Sequence, residues 1–300
     1  MGTILIAIGI AFAAACSSSS GGSAGGSITV VANFYPVYEA ARHVGGDGVR
    51  VRNLTPSGAE PHDLELSPKQ VDEILDAKVV LYMGSGFQPA VEDIAEDRHR
   101  DVTVDLLAAL ASQLRRLKGG ESVEGGTDPH VWLDPVLMAD IVDEVRNAMT
   151  RADPSGASVF DRNAERYRGQ IEALDQQFRQ GLRHCARRVI VTSHAAFGYL
   201  AARYGLVQEP ISGLSPEAEP DPKRIAGLAD LVRKDGVTTI FTEELVSPRV
   251  AETLAREAGV QTAVLNPLEG LTSDELARGE TYVSVMKENL ATLRVALGCR

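Results

Sequence analysis

Three histidines of this chain stand in sequence frames suited to holding a transition metal. His62 lies in the segment GAEPHD, His130 in DPHVWLDP and His194 in VTSHAAF. The chain has only six histidines, and each of these three follows a predicted strand or loop instead of lying inside a helix. Ligands of a zinc finger cluster locally, whereas these residues are far apart in the sequence. A metal site built from them therefore requires a folded scaffold.

The scaffold is predicted from the alternation of short apolar runs with amphipathic helical stretches, which is typical of an α/β fold with mainly parallel sheets. In the first half, strands are predicted at 28–32, 49–54, 79–83 and 102–104, with helices at 35–44, 68–77 and 88–97. The second half repeats the plan, with strands at 188–192, 206–210, 238–242 and 261–265 and helices at 196–204, 221–234, 248–258 and 281–297. We therefore expect an N-terminal lobe over 28–152 and a C-terminal lobe over 186–300.

Residues 153–185 between the two halves are predicted to form one long helix. Apolar residues recur there every three or four positions, from Phe160 to Leu182, and no proline interrupts the stretch after Pro154. Thirty helical residues would extend roughly 45 Å. Because a helix without proline or a bulge resists bending, we expect a rigid connecting rod.

The N-terminal residues 1–16 have the composition of a secretory signal. An apolar stretch from Ile4 to Ala15 is too short to span a bilayer and ends in small residues just before Cys16. It resembles a bacterial lipoprotein signal, which implies cleavage before Cys16 and a lipid anchor on its thiol, although Ala13 and the absence of a preceding Lys or Arg depart from the usual pattern. The alternative is a buried N-terminal strand or helix. Residues 17–27, almost entirely Ser and Gly, would form a flexible tether.

Charge and cysteine content indicate the location of the protein and the kinds of ligand that it does not bind. The formal net charge is −11, with both signs interspersed, which argues against binding of nucleic acid and suits an extracytoplasmic location. Apart from Cys16, only Cys185 and Cys299 remain, and in an oxidising compartment they are most simply a disulfide. Neither has a second cysteine or histidine at the spacing of a zinc site.

Several segments together resemble the ZnuA/TroA-like family, the zinc- and manganese-binding proteins of bacterial ABC importers. In order along the chain they are ANFYP after the first strand, GAEPHD, DPHVWLDP, VTSHAAF, IFTE and VLNPL. The resemblance implies two lobes, each with a mainly parallel four-stranded sheet, joined by one backbone helix, with the metal in the cleft between them. It also implies a function, the capture of Zn²⁺ and its delivery to an ABC permease for import.

The resemblance assigns three ligands directly, since His62, His130 and His194 occupy the three histidine positions of the family. Manganese-type members have glutamate at the third position. Imidazole suits zinc, whereas manganese prefers carboxylate oxygens, so His194 favours Zn²⁺ over Mn²⁺.

The fourth ligand is less clear, because Asn266 stands where the family has aspartate. Asn266 could ligate weakly, water could fill the position, or Glu243 or Glu60 could supply a carboxylate. The +2 ion needs a nearby negative charge in a cleft. We expect Glu243 first, because strand ends face the cleft in such sheets; the alternative is that Glu243 is an exposed or helix-capping acid.

Two other functions remain open at this point. Three histidines and a water on zinc also form hydrolytic sites, but the sequence has no HExxH frame and no GxSxG nucleophile motif, so we do not expect an enzyme. A surface adhesin or sensor could keep the same scaffold.

Since no histidine-rich loop precedes His130, capture would depend on the cleft or on a metallochaperone. We expect a monomer that contacts the membrane only through its anchor and its permease.

Overall fold

The structure is a computed structural model that describes residues 28–98, 101–114, 127–218 and 220–300. The predicted signal, its Cys16 and most of the glycine-rich stretch before His130 lie outside these ranges. Within the described residues, no helix is both long and apolar enough to cross a membrane.

The N-terminal lobe is built on a parallel sheet with the strand order β2-β1-β3-β4. Its strands are β1 (Thr29–Ala32), β2 (Arg50–Asn53), β3 (Val79–Tyr82) and β4 (Val102–Asp105). Its helices are α1 (Tyr35–Gly45), α2 (Pro68–Asp76), α3 (Pro89–Glu96), α4 (Leu106–Ala109) and α5 (Ala111–Leu114). The central strand β3 is buried at every position, whereas the edge strand β2 alternates exposed and half-buried residues. In a parallel sheet with both faces covered, a central strand is buried along its whole length, whereas an edge strand remains partly exposed.

Two helices follow the N-terminal sheet, α6 (Pro135–Ala152) and the linking helix α7 (Ala157–Gly181). Asp134 caps α6 by accepting a hydrogen bond from the amide of Val136 at 2.9 Å, and Pro135 occupies the first turn. Pro154 separates the two helices. The prediction of a long linking helix is confirmed; at 25 residues α7 extends about 37 Å, somewhat less than expected. Helix α6 is not among the predicted elements.

The C-terminal lobe repeats the arrangement with the strand order β6-β5-β7-β8, again parallel throughout. Its strands are β5 (Val189–Thr192), β6 (Val207–Pro210), β7 (Thr239–Thr242) and β8 (Gln261–Val264). Its helices are α8 (Gly198–Tyr204), α9 (Pro222–Lys234), α10 (Arg249–Ala258), α11 (Ser273–Ala277) and α12 (Tyr282–Leu297). The expected α/β class with two four-stranded parallel sheets is therefore confirmed, and every predicted strand overlaps an observed one.

One apolar core runs through both lobes instead of stopping at the cleft. It includes buried side chains from α1, α6, α7, α8 and α12, such as Val37, Ile141, Phe178, Leu200 and Met286. Two smaller cores lie on the outer sides of the two sheets. Because the main core is shared, a change in the angle between the lobes would disturb close-packed side chains.

A buried carboxylate ties three helices of this core together. Glu39 of α1 is only 6 % exposed and accepts hydrogen bonds from the hydroxyl of Tyr35 and, at 3.1 Å, from that of Tyr167 in α7. At 2.8 Å it also accepts one from the backbone amide of Tyr282, at the start of α12. The three bonds satisfy a group that would be costly to bury alone, and they fix α12 against the N-terminal lobe.

The two cysteines of the C-terminal half form a disulfide, Cys185–Cys299, across a sequence separation of 114 residues. Backbone bonds flank it on both sides, from Ala186 to Gly298 and from Arg300 to His184. The bridge joins the segment after α7 to the segment after α12, so it closes a loop that contains almost the whole C-terminal lobe.

We expect reduction of this disulfide to destabilise the protein. A loop of this length is worth about 4–5 kcal/mol in the chain-entropy model, and such a loss should lower the melting temperature by about 10 °C. The measurement is a thermal melt with and without reductant, on material that lacks Cys16. A Cys185→Ser/Cys299→Ser variant should melt like the reduced protein and respond no further to reductant. Two titratable thiols in denatured, unreduced protein would contradict the bridge.

Candidate metal centre

Four potential ligand atoms meet between the two lobes, from His62, His130, His194 and Glu269, and all lie within 4.8 Å of one another. The Glu269 Oε1 atom lies 3.4, 3.2 and 3.0 Å from the Nε2 atoms of His62, His130 and His194. The Nε2 atoms of His130 and His194 are 3.3 Å apart. Ligands at about 2.0–2.1 Å from zinc in a tetrahedron are separated by about 3.3 Å. Four of the six distances between these atoms therefore match the edges of a tetrahedral zinc site, and all six are within 4.8 Å.

His62 lies on the loop between β2 and α2. Pro61 restricts the backbone just before it, and the carbonyl of Pro61 accepts a hydrogen bond from the buried amide of Gln88 at 3.0 Å. The ring of Phe87 packs edge-on against the imidazole, with centroids 4.6 Å apart. Burial lowers the pKa of His62, and the nearby Glu269 carboxylate only partly opposes this, so the ring favours the neutral, ligating form.

His130 is fully buried and is oriented by Asp128, two residues earlier. One carboxylate oxygen of Asp128 accepts from the backbone amide at 2.9 Å and from Nδ1 at 2.7 Å. A carboxylate can only accept here, so Nδ1 carries the hydrogen and Nε2 is left for a metal. Burial lowers the pKa of His130, but the bonds to Asp128 and Glu269 outweigh it and raise the pKa above its ordinary value.

His194 follows the end of β5, and Glu243 follows the end of the neighbouring strand β7. The two Glu243 oxygens lie 2.9 and 2.8 Å from Nδ1 of His194, and one also accepts from its backbone amide at 3.2 Å. The ring is thus fixed with Nε2 facing Glu269. Burial alone lowers the pKa of His194, but the charges of Glu269 and Glu243 raise it well above its ordinary value.

Glu269 is the member of the cluster that sequence analysis missed. It lies on the loop after β8 and is 1 % exposed. Burial would raise the pKa of this carboxyl, but its contacts with His194, His130 and His62 hold the pKa well below the usual range. In the metal-free protein, the positive charge that the buried carboxylate needs comes from protons on the imidazoles. Glu243 directly follows the end of β7, whereas Glu269 lies five residues after the end of β8, so the signal that suggested Glu243 does not point to Glu269.

The expected fourth ligands have other partners. Glu243, which we expected first, accepts a hydrogen bond from Nδ1 of His194. The other candidate ligands lie near Nε2, the other nitrogen of the ring. The side-chain oxygen of Asn266 accepts from the amide of Leu268 at 2.7 Å, and its nitrogen donates to Glu275 at 3.1 Å, so this amide is used within its own loop.

Glu60 also lies outside the cluster of four. Its carboxylate accepts from the amide of Asp63 at 3.3 Å. Burial, followed by the charge of Glu269, raises the pKa of Glu60 to about 7. A second full negative charge beside Glu269 is therefore disfavoured in the metal-free protein.

The remaining histidines of the described chain are away from the cluster. His43 stacks on the ring of Tyr167 with centroids 3.9 Å apart and lies 3.6 Å from a carboxylate oxygen of Glu39. His184 is exposed next to the disulfide. His99 lies outside the described residues.

Comparison with known proteins agrees with this geometry. The model of the family described as ZnuA, zinc-uptake complex component A periplasmic, matches residues 30–296. The zinc-binding lipoprotein AdcA of Streptococcus pneumoniae is 39 % identical over 294 residues, which cover 94 % of this chain but 58 % of AdcA. This chain thus spans little more than half of that relative. The high-affinity zinc uptake system protein ZnuA of Bacillus subtilis is 36 % identical, with 92 % of this chain and 89 % of that protein covered.

A solved structure shows the same fold. The crystal structure of the Zn(II)-bound ZnuA-like domain of S. pneumoniae AdcA superposes with a TM-score of 0.76 at 38 % identity, covering 91 % of this chain and 99 % of that domain. The family model covers most of the chain and the B. subtilis relative is matched over nearly its whole length, so the chain belongs to the ZnuA family of periplasmic zinc-uptake components.

Proposed function

We propose that this chain is the extracytoplasmic solute-binding protein of a zinc importer, which captures Zn²⁺ between its lobes and delivers it to an ABC permease. The observation that carries the proposal is the spacing of the four ligand atoms, 3.0–3.4 Å across the measured edges. Both lobes contribute, with His62 and His130 from one and His194 and Glu269 from the other. Zn²⁺ is then the cargo of the protein.

The ligand set favours zinc over manganese. Three imidazoles and one carboxylate suit a tetrahedral Zn²⁺ ion, whereas Mn²⁺ prefers more oxygen ligands in an octahedral shell. The carboxylate of Glu269 also cancels part of the ion's charge in a site where water is excluded. The names of the AdcA and ZnuA relatives, both of which refer to zinc, support the same choice.

The hydrolase alternative needs an open fourth position on the metal, where water would be activated. Glu269 lies where that water would bind, with its oxygen 3.0 Å from Nε2 of His194. Members of the ZnuA family are transport components and not enzymes. We therefore do not propose catalysis. The adhesin or sensor alternative remains untested, and we do not propose it because no feature of the described residues favours it.

The partner and the location follow from the family. A periplasmic component of a zinc-uptake complex needs a membrane permease to accept the metal. We propose that lipidated Cys16 anchors the chain outside the cytoplasmic membrane, which agrees with the relative named as a lipoprotein. That the chain acts as a monomer and that a metallochaperone donates zinc remain predictions.

The first prediction concerns the three histidines. The purified chain should bind one zinc, and His62→Ala, His130→Ala and His194→Ala should each weaken binding by well over tenfold, because no neighbouring side chain can replace a lost imidazole. The measurement is a competition titration against a chelator of known affinity. His184→Ala is the matched control, since this exposed histidine should leave the affinity unchanged. Unchanged affinity in any of the three would remove that residue from the site.

The second prediction separates the candidate carboxylates. Glu269→Gln should weaken zinc binding by more than tenfold, because it replaces an anionic ligand by a neutral one. Glu243→Gln keeps a hydrogen-bond acceptor for His194 and should cost less. Asn266→Asp should bring no gain in affinity and should lower the melting temperature, since it places a second carboxylate against Glu275. If Asn266→Asp tightens zinc binding while Glu269→Gln has no effect, the fourth ligand has been assigned to the wrong residue.

The third prediction concerns the pH dependence of zinc binding. The pKa values of His194 and His130 are raised in the metal-free protein, so both rings are largely protonated below these values, and zinc must displace the protons. Affinity should therefore rise with pH and fall on acidification, by up to about tenfold per pH unit for each proton released. Calorimetry in two non-coordinating buffers of different ionisation enthalpy measures this release. An observed enthalpy that does not depend on the buffer would show that the rings are already neutral.

A further inference from the structure

A buried hydrogen bond connects the loop of His130 to the loop of Glu269. Trp132, two residues after His130, donates from its indole nitrogen to the carbonyl oxygen of Pro267 at 2.8 Å. Pro267 lies two residues before Glu269, in the other lobe. The bond is buried, and Trp132 is fully inaccessible to solvent. One candidate ligand from each lobe therefore lies within two residues of the same contact.

The C-terminal lobe also holds the backbone of Trp132. The hydroxyl of Tyr282, in the first turn of α12, donates to the carbonyl oxygen of Trp132 at 2.7 Å and is itself buried. Trp132 thus makes one bond to the C-terminal lobe through its side chain and accepts another through its main chain. These two bonds fix the short 3-10 helix Val131–Leu133, which begins directly after His130.

The indole ring extends the same contact to the third loop of the site. Its centroid lies 4.6 Å from the ring of Phe34, 5.3 Å from that of Phe87 and 5.1 Å from the imidazole of His130. Phe87 in turn packs on His62, with centroids 4.6 Å apart. The position of the indole therefore affects both histidines of the N-terminal lobe.

The loop that carries Glu269 needs support from outside itself. Leu268 has a φ of +56°, a left-handed conformation that a leucine side chain disfavours. Within the loop, the Leu268 amide donates to Asn266. The peptide carbonyl just before Leu268 is the one that accepts from Trp132. Without the indole donor this carbonyl loses a partner inside the protein, and the strained turn loses its bond to the His130 loop. The other hydrogen bonds that the main chain of the loop makes to the N-terminal lobe lie beyond Glu269, where the carbonyl of Leu271 accepts from Ser57 and Gly58.

We propose that Trp132 is a positioning residue that couples His130 to Glu269 across the lobe boundary and so sets how long zinc stays bound. The inference rests on the proposed function, because zinc retention is its main readout. The indole does not touch the metal. It acts by keeping the Glu269 oxygen within the 3.2 Å of His130 Nε2 that a common ion requires. Its loss should accelerate zinc release more than it slows capture, because changes at a binding site affect the dissociation rate more than the association rate.

The test uses the fact that Trp132 is the only tryptophan of the chain. Cell-free synthesis can replace it with 3-benzothienyl-alanine, which keeps the size and shape of the indole but has sulfur in place of the N–H donor. We expect the zinc dissociation rate, measured by chelator trapping, to rise about tenfold, the equivalent of about 1.4 kcal/mol. The association rate should change by less than about twofold. Trp132→Phe, which also leaves a gap in the core, should show at least the same effect.

A matched control separates coupling from general loss of stability. Tyr204→Phe removes a partly buried hydrogen bond at the shared core, from the hydroxyl to Asp175 at 3.1 Å, and lies outside the ligand loops. It should lower the melting temperature without raising the zinc dissociation rate. If Tyr204→Phe releases zinc as fast as the benzothienyl protein, or if the benzothienyl protein releases zinc at the normal rate, the proposal is wrong.

A second readout does not depend on zinc. In the metal-free chain, the benzothienyl substitution should speed amide hydrogen exchange of residues 268–271, and the Tyr204→Phe control should not. If unsubstituted chain fails to bind zinc, the proposed function fails, but faster exchange in this segment still supports the coupling. Unchanged exchange together with unchanged zinc release would overturn the coupling while leaving the proposed function intact.

Discussion

Four candidate ligand atoms from two lobes can keep the close spacing of a zinc site only if the lobes keep a fixed separation, and several contacts across the interface serve this constraint. The carboxylate of Asp134, fully buried, caps α6 and forms a salt bridge with Arg203 of α8, with N–O distances of 2.6–3.0 Å. Breaking such a buried pair costs about 3–5 kcal/mol. Together with the Glu39 bonds and the shared core, it makes wide hinge opening about α7 costly. Under the proposed function, zinc would therefore enter and leave mainly through movement of the loops that carry the candidate ligands.

The same rigidity keeps the carboxylate of Glu269 buried, and the neighbouring imidazoles compensate its negative charge. A fully desolvated carboxylate at position 269 is costly unless positive charge lies next to it. In the metal-free protein, His194 and His130 provide this charge, which is why their pKa values are raised and that of Glu269 is lowered. The carboxylates of Asp128 and Glu243 add to the effect while they orient the rings. Under the proposed function, zinc would therefore replace protons in a site whose geometry and charge are already in place.

Much of this arrangement could be predicted from the sequence, because the strands and the three histidines have local signals. Strand positions follow from apolar runs, and His194, two residues after the end of β5, belongs to a cleft formed by strand ends. Helix α6 was also predictable, since Leu137, Ile141, Val145 and Met149 recur at helical spacing. Glu269 was not, because its position depends on the left-handed turn at Leu268 and on a contact with the other lobe. No local pattern encodes either of these.

The neighbours of Asn266 explain why an amide is suited to the position where we expected an aspartate. Its carbonyl oxygen fixes the amide of Leu268, and its nitrogen donates to Glu275, a carboxylate that also caps α11 through Thr272. An aspartate could accept the first bond but could not donate the second, and it would place like charges about 3 Å apart. In the proposed zinc site Glu269 supplies the negative charge, so a neutral amide serves better at position 266. The asparagine therefore does not leave the site without a carboxylate, because the carboxylate lies three residues further along the loop that Asn266 shapes.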